Sequence, residues 1–266
     1  MARRKMKIGI CRICKKNTEL SFEHIPPKAA FNKYTKFRSI PYLEYVQNSH
    51  KGNYKPSAKL QQGGIGNFCL CRNCNSFLGS NYVPDYLKMA QVGKSIFNNY
   101  DFSKAIFTTE EISPLRFLKQ TLSMFVCNNA PDFTNNEPEL LSFLKNPSEQ
   151  NLPDKFRVFM YLNHFGQIRN LNMMYTNLYG LVYEFAFPPL GFVLSINSDV
   201  VFPQLTQITH FKNVDCNYRG EVHFELFNLY TYSPFPIDYR SQEEIAEAVR
   251  KSEEEEKHFD CENDGS

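Results

Sequence analysis

The sequence predicts an α+β protein in two parts: a small amino-terminal module tied by paired cysteines, then a mixed domain of antiparallel sheet and helices. Three observations lead there. Two C-x-x-C pairs, Cys11/Cys14 and Cys71/Cys74, fall in the first third of the 266 residues. Five runs rich in aromatic and branched residues, with turn residues between them, crowd the stretch from Phe156 to Leu229. Charge divides at about residue 100, with 17 Lys or Arg against four acids before it (net +13) and 13 basic against 24 acidic residues after it (net −11). With 42% hydrophobic and 15% aromatic residues, the chain has ample material for one large or two medium cores. The expected division is 1–100, 101–258 and a disordered tail over 259–266.

Taken in order, short strands are expected at Ile8–Ile10 and Leu20–Glu23, then a long basic loop through Lys51–Gly66 and a strand at Gly66–Leu70. A helix should follow Cys74, break near Gly79 and resume over Pro84–Phe97. Ser113-Pro114 supplies an N-cap and first-turn proline for a helix to about Cys127, and a weaker helical pattern covers Asn136–Leu144. The sheet runs are Phe156–Leu162, Ile168–Tyr175, Leu181–Phe187, Phe192–Ile196 and Glu221–Leu229. Ser241-Gln-Glu-Glu244 is a capping box that opens a helix to about Lys257.

A single C-x-x-C can be a redox dithiol; two pairs supply four thiolates, the full shell of a tetrahedral structural zinc. The 56 residues between Cys14 and Cys71 exceed the spacing of a simple zinc ribbon, so a sub-structure must be inserted between the knuckles. Cys69 lies two residues before Cys71 and shares its face on a regular strand, but it has no knuckle spacing. Cys127, Cys216 and Cys261 read as ordinary thiols, and His164, His210 and His223 show no metal-ligand spacing.

Between the knuckles lies Glu23-His24-Ile-Pro26, and Asn75 directly follows the last cysteine. In this order and spacing, residues 8–90 resemble the HNH endonucleases, the ββα-metal family, in the treble-clef-like branch tied by a four-cysteine zinc. The resemblance implies that His24 is the general base on a water and that Glu23 and Asn75 hold a catalytic Mg²⁺ or Mn²⁺ against the scissile phosphate. Hydrolysis of a phosphodiester independently needs a deprotonated water and a cation on the developing charge. A neutral imidazole and hard oxygen ligands suit those tasks. The chain departs from the family in having Asn75 where His is usual, Leu78 where many relatives carry Lys, and no certain middle Asn, for which Asn67 is the candidate.

The basic part contains the same residues. Lys28, Lys51, Lys55, Lys59 and Arg72 are candidates for contact with a phosphate backbone, and interleaved tyrosines offer stacking groups. Nucleic acid is therefore the expected partner, with DNA ahead of RNA, and bacterial anti-phage defence is the setting suggested by analogy with two-part nucleases. No apolar run has the length of a membrane span and no signal-peptide core follows the amino terminus, so a cytosolic protein without membrane contact is expected. The carboxy-terminal part is the expected seat of a protein partner or of self-association. Two rivals use the same residues: a zinc-stabilised nucleic-acid-binding protein that cuts nothing, and an adaptor whose acidic part binds a protein. Glu23, His24 and Asn75 separate them from the nuclease, because only the nuclease needs these side chains for chemistry.

Overall fold

A computed structural model describes residues 7–40, 44, 47, 48, 58, 60–97, 102–233 and 235–263, with backbone alone at 171, 172 and 256–263. It is a mixed α+β structure with antiparallel sheets, and five α-helices lie among the described residues. None of those helices is long and apolar enough to cross a membrane. Two compact units are present: Met1–Gln91 with Ser113–Asn151 and Asp215–Asn217, and Val92–Ile112 with Leu152–Val214 and Tyr218–Ser266. The first unit thus reaches well beyond the amino-terminal 100 residues.

In the first unit, β1 (Lys7–Ile10), β2 (Asn17–His24) and β5 (Gly66–Cys71) form an antiparallel sheet in the order β1-β2-β5. β3 (Lys36–Arg38) and β4 (Leu60–Gln62) pair separately, Lys36 opposite Gln62. This corrects the expected loop over 51–66: three of its residues are a strand, because β3 offers an antiparallel partner that local sequence does not reveal. Helix α1 (Arg72–Asn81) leaves β5 without a linker, and α2 (Val83–Phe97) follows one residue later. The break expected at Gly79 falls at Tyr82 instead. A Cβ at Gly79 would meet open space, so this glycine leaves α1 intact, whereas Tyr82 is fully buried and its hydroxyl donates to the Leu144 carbonyl at 2.8 Å.

Helix α3 (Pro114–Asn128) is buried at every position except Arg116. Leu115, Phe117, Leu118, Leu122 and Phe125 supply its apolar surface, and Phe117 stacks on Tyr86 with ring centres 6.1 Å apart. Pro114 takes the first-turn position, while the Ser113 N–H donates to the buried Asp85 carboxylate at 2.9 Å. Lys119 is buried too. Its ammonium donates to the carbonyls of Phe143, Asn146 and Glu149 at 2.6–2.7 Å, closing the carboxy-terminal end of α4 (Pro138–Lys145).

The second unit has a five-stranded antiparallel sheet in the order β11-β7-β10-β9-β8, from β7 (Phe156–Leu162), β8 (Arg169–Thr176), β9 (Gly180–Phe187), β10 (Leu190–Ile196) and β11 (Thr206–Gln207). Phe159, Tyr161, Val182, Ala186, Val193 and Phe202 form a core cluster beside it. Gly191 is required there because a Cβ would stand 2.0 Å from the Tyr161 ring. Buried Glu184 accepts from Arg169 at 2.9 Å, from the Tyr161 hydroxyl at 2.6 Å and from the Tyr239 hydroxyl at 3.0 Å, which satisfies an otherwise costly charge. β6 (Lys104–Ile112) and β12 (Gly220–Phe227) make a separate antiparallel ribbon. β6 is absent from the sequence reading, where its two charged ends hide a half-exposed alternation. The capping box closes α5 (Gln242–Asn263): Ser241 N–H donates to the Glu244 carboxylate at 2.7 Å and Glu244 N–H to the Ser241 hydroxyl at 3.1 Å. This helix runs through Asn263, into the stretch expected to be a disordered tail.

Candidate metal centre and active site

The turn joining β1 to β2 makes the first knuckle. Lys15 adopts a left-handed conformation (φ 61°), and its N–H donates to the Cys11 carbonyl at 2.8 Å while the Cys11 N–H donates to Lys16 at 2.9 Å. This tight fold brings Cys11 and Cys14 to one side. The second knuckle is the β5–α1 junction, where Cys71 is the helix N-cap and its sulfur accepts the Cys74 N–H at 3.5 Å. All four Sγ atoms lie within 4.8 Å of one another, with Cys14 and Cys71 at 3.8 Å. Four ligands on a tetrahedral ion with metal–sulfur bonds of about 2.3 Å stand roughly 3.8 Å apart, so this donor set fits a metal ion and is consistent with structural zinc. Burial, together with neighbouring thiols, pushes the Cys14 and Cys74 thiols up. Burial also acts against ionising Cys11, but N–H groups of Cys14, Cys71 and Ile13 outweigh it and hold that thiol down. Crowded thiolates repel unless a cation lies among them.

Cys69 stands outside the cluster. A bulge leaves it without a direct partner, Ser21 opposing Leu70 and Phe22 opposing Phe68. Its thiol contacts Cys127 on α3, and that contact, with burial, pushes the Cys127 thiol well up. The irregular register therefore breaks the alternation that would align Cys69 with Cys71.

Beyond the metal centre, the β2–β5–α1 unit assembles part of the expected site. Glu23 at the end of β2 lies near enough to Asn75, in the first turns of α1, for the side-chain amide to favour its ionised carboxylate. The Asn75 amide also donates to the Ser21 hydroxyl at 3.0 Å, and that hydroxyl donates to the Leu70 carbonyl at 2.9 Å. Burial raises the Glu23 carboxyl to about 7, only partly offset by the Asn75 hydrogen bond. Asn67 sits directly opposite Glu23 in the β2–β5 ladder, and its amide reaches the Cys127 carbonyl at 3.4 Å. Arg12 also donates to that carbonyl.

His24 is the next residue on β2, and strand alternation turns it to the face opposite Glu23. Its ring meets Phe22 edge-on at 5.1 Å and its Nε2 lies 3.2 Å from the Gly63 carbonyl. A carbonyl only accepts, so Nε2 carries the proton in that contact. The structure thus joins Glu23 to Asn75 and places His24 across the ribbon from them. Lys28 and Arg72 are exposed. Lys51, Lys55 and Lys59 lie outside the described residues.

Two residues of this region escape sequence reasoning. Ser21 links Asn75 to the sheet. Asn32, fully buried, donates to the carbonyls of Pro26 and Ile65 at 2.7 and 2.8 Å and accepts from the Ile65 N–H at 2.8 Å, which pins the segment after His24 to the strand that opposes it. Nothing in motif spacing marks either residue; only the contacts do. His164, His210 and His223 lie against Phe97 and Phe165, against Phe211 and beside the Thr108 hydroxyl, respectively. Comparison of the chain with protein-family models, curated proteins and solved structures finds no match.

Proposed function

We propose that the chain is a metal-dependent HNH-type endonuclease that hydrolyses phosphodiester bonds in nucleic acid, its amino-terminal unit tied by a structural zinc. The observation that carries this reading is the Glu23–Asn75 pair, a carboxylate and an amide brought near each other from strand and helix, in a unit that also holds the cysteine cluster. Two hard oxygen donors suit Mg²⁺ or Mn²⁺. When bound there, such a cation would polarise the phosphate and take up charge on the leaving oxygen. Glu23, raised to about 7 by burial, would ionise at lower pH with a cation beside it. The resemblance assigns the proton of the attacking water to His24, whose ring lies on the Gly63 carbonyl and would have to reach that water from the face of β2 opposite Glu23. Ser21 orients the Asn75 amide, and exposed Lys28 and Arg72 add positive charge for the phosphate backbone.

A second reading, a zinc-stabilised nucleic-acid-binding protein that cuts nothing, is favoured by the turn of His24 away from Glu23. The deciding experiment compares wild type, His24→Ala and Glu23→Gln on supercoiled plasmid, linear DNA and RNA with Mg²⁺ or Mn²⁺. The nuclease reading expects cutting by the wild type alone, with binding kept by His24→Ala. Equal cutting by His24→Ala refutes its role as base, and binding without cutting by all three chains establishes the second reading.

A further inference from the structure

We propose that a groove of about 310 Å³ in the first unit, lined by Phe22, Phe37, Phe68, Lys7, Gln61 and Gln62, binds unpaired bases of single-stranded nucleic acid. The inference rests on the nucleic-acid reading above and names the form of substrate which that site takes. Phe22 of β2 and Phe68 of β5 meet edge-on at 5.3 Å, and Phe37 of β3 completes the aromatic lining. All three rings are only half-buried.

Two glycines keep the floor low. A Cβ at Gly66 would stand 1.9 Å from the Glu23 carbonyl oxygen and 2.9 Å from the Phe22 ring, and one at Gly64 would stand 2.3 Å from the Asn32 carbonyl. Gly64 also has φ +90°, a conformation that side chains rarely allow.

The polar part of the lining matches a base attached to a phosphate. The Lys7 ammonium lies 5.3 Å from the centre of the Phe68 ring, and no described lining residue is acidic. Outside the lining, Lys36 and Arg38, both exposed, add positive charge on the other face of β3 from Phe37, and Tyr34, 76% exposed, lies two residues before Lys36. The amides of Gln61 and Gln62 can both donate and accept, as the edges of bases require. A stack needs a free base face, which a duplex covers with its neighbouring pairs, so aromatic lining selects unpaired bases. Phe22 is also the ring that touches His24, so a strand with its bases in the groove passes its phosphates close to the imidazole.

The chain contains no tryptophan, so Phe37→Trp introduces a single indole reporter in the groove. The test titrates it with a single-stranded oligonucleotide and with a duplex of the same sequence, without added divalent cation. Fluorescence anisotropy of labelled oligonucleotides on wild type and Phe37→Ala runs in parallel, with zinc content as the check on folding. The expected result is indole quenching by the single strand and not by the duplex, and about tenfold weaker single-strand binding by Phe37→Ala, the size of one lost base stack. Single-strand binding without quenching, equal quenching by the duplex, or wild-type affinity in Phe37→Ala overturns the groove assignment and leaves the proposed function standing. A wild type that binds no nucleic acid overturns both. Retained quenching without cutting by the wild type upholds the groove and removes the nuclease.

Discussion

Replacing Glu23 by Gln should stabilise the protein, and the gain should depend on pH. The carboxyl is raised from 4.5 to about 7 by burial in the fold. A carboxyl whose folded pKa lies above its unfolded value stabilises fully below the unfolded value, and that contribution is lost as pH rises through the folded one. The interval from 4.5 to about 7 corresponds to about 3 kcal/mol at about 1.4 kcal/mol for each tenfold change, and most of it falls between pH 5 and pH 8. Glutamine keeps the shape and the hydrogen-bonding capacity toward Asn75 but cannot ionise. Urea unfolding of zinc-loaded wild type and Glu23→Gln in magnesium-free buffer should therefore show near-equal stability at pH 5. A gap of about 2.5 kcal/mol in favour of the variant should open by pH 8. Millimolar Mg²⁺ at pH 8 should narrow it by stabilising only the wild type. A gap that stays constant from pH 5 to pH 8 would refute the claim that the fold buries this carboxyl at the expense of its charge.

Purified protein should carry one zinc per chain by elemental analysis, and Cys71→Ser should lose both the metal and the cooperative melting of the unit it ties. Lys119→Met should cost about 1–3 kcal/mol in urea unfolding, because the carbonyls of Phe143, Asn146 and Glu149 lose a buried donor; equal stability would count against this cap. Gly66→Ala should lower the melting temperature and weaken the β2–β5 pairing, read by amide exchange at Glu23 and Asn67, since its Cβ would overlap backbone. Charge reversal at Lys28 and Arg72 should weaken nucleic-acid binding and flatten its dependence on salt, measured by anisotropy across a salt series.

Much of this architecture is written in local signals. The knuckle spacing identified the four thiols, because a C-x-x-C turn can present both sulfurs on one side whatever surrounds it. Four of the five aromatic and branched runs marked strands of the second unit's larger sheet, with β7 at the expected bounds, since a strand buried on both faces needs apolar residues throughout, whereas the fifth, at Glu221–Leu229, pairs with β6 in a separate ribbon. The capping box at Ser241 marked the start of α5 for the same local reason. Beyond the reach of sequence were the features that depend on a partner distant along the chain. β3 and β4 are three residues each and exist through their mutual pairing. The burial of Lys119 depends on carbonyls from 24 to 30 residues away.

The candidate site divides along the same line. Sequence alone supplied the residue types and their order: four cysteines, Glu23-His24 and Asn75. Tertiary structure decided which of them meet. Alternation along β2 sends neighbouring side chains to opposite faces, so Glu23 joins Asn75 and Ser21 while His24 turns to Phe22 and the groove. The β5 bulge detaches Cys69 from the four clustered thiols. Strand faces, register shifts and long-range carbonyl partners are set by pairing across the sheet and burial under α3, and no stretch of residues read along the chain contains that information.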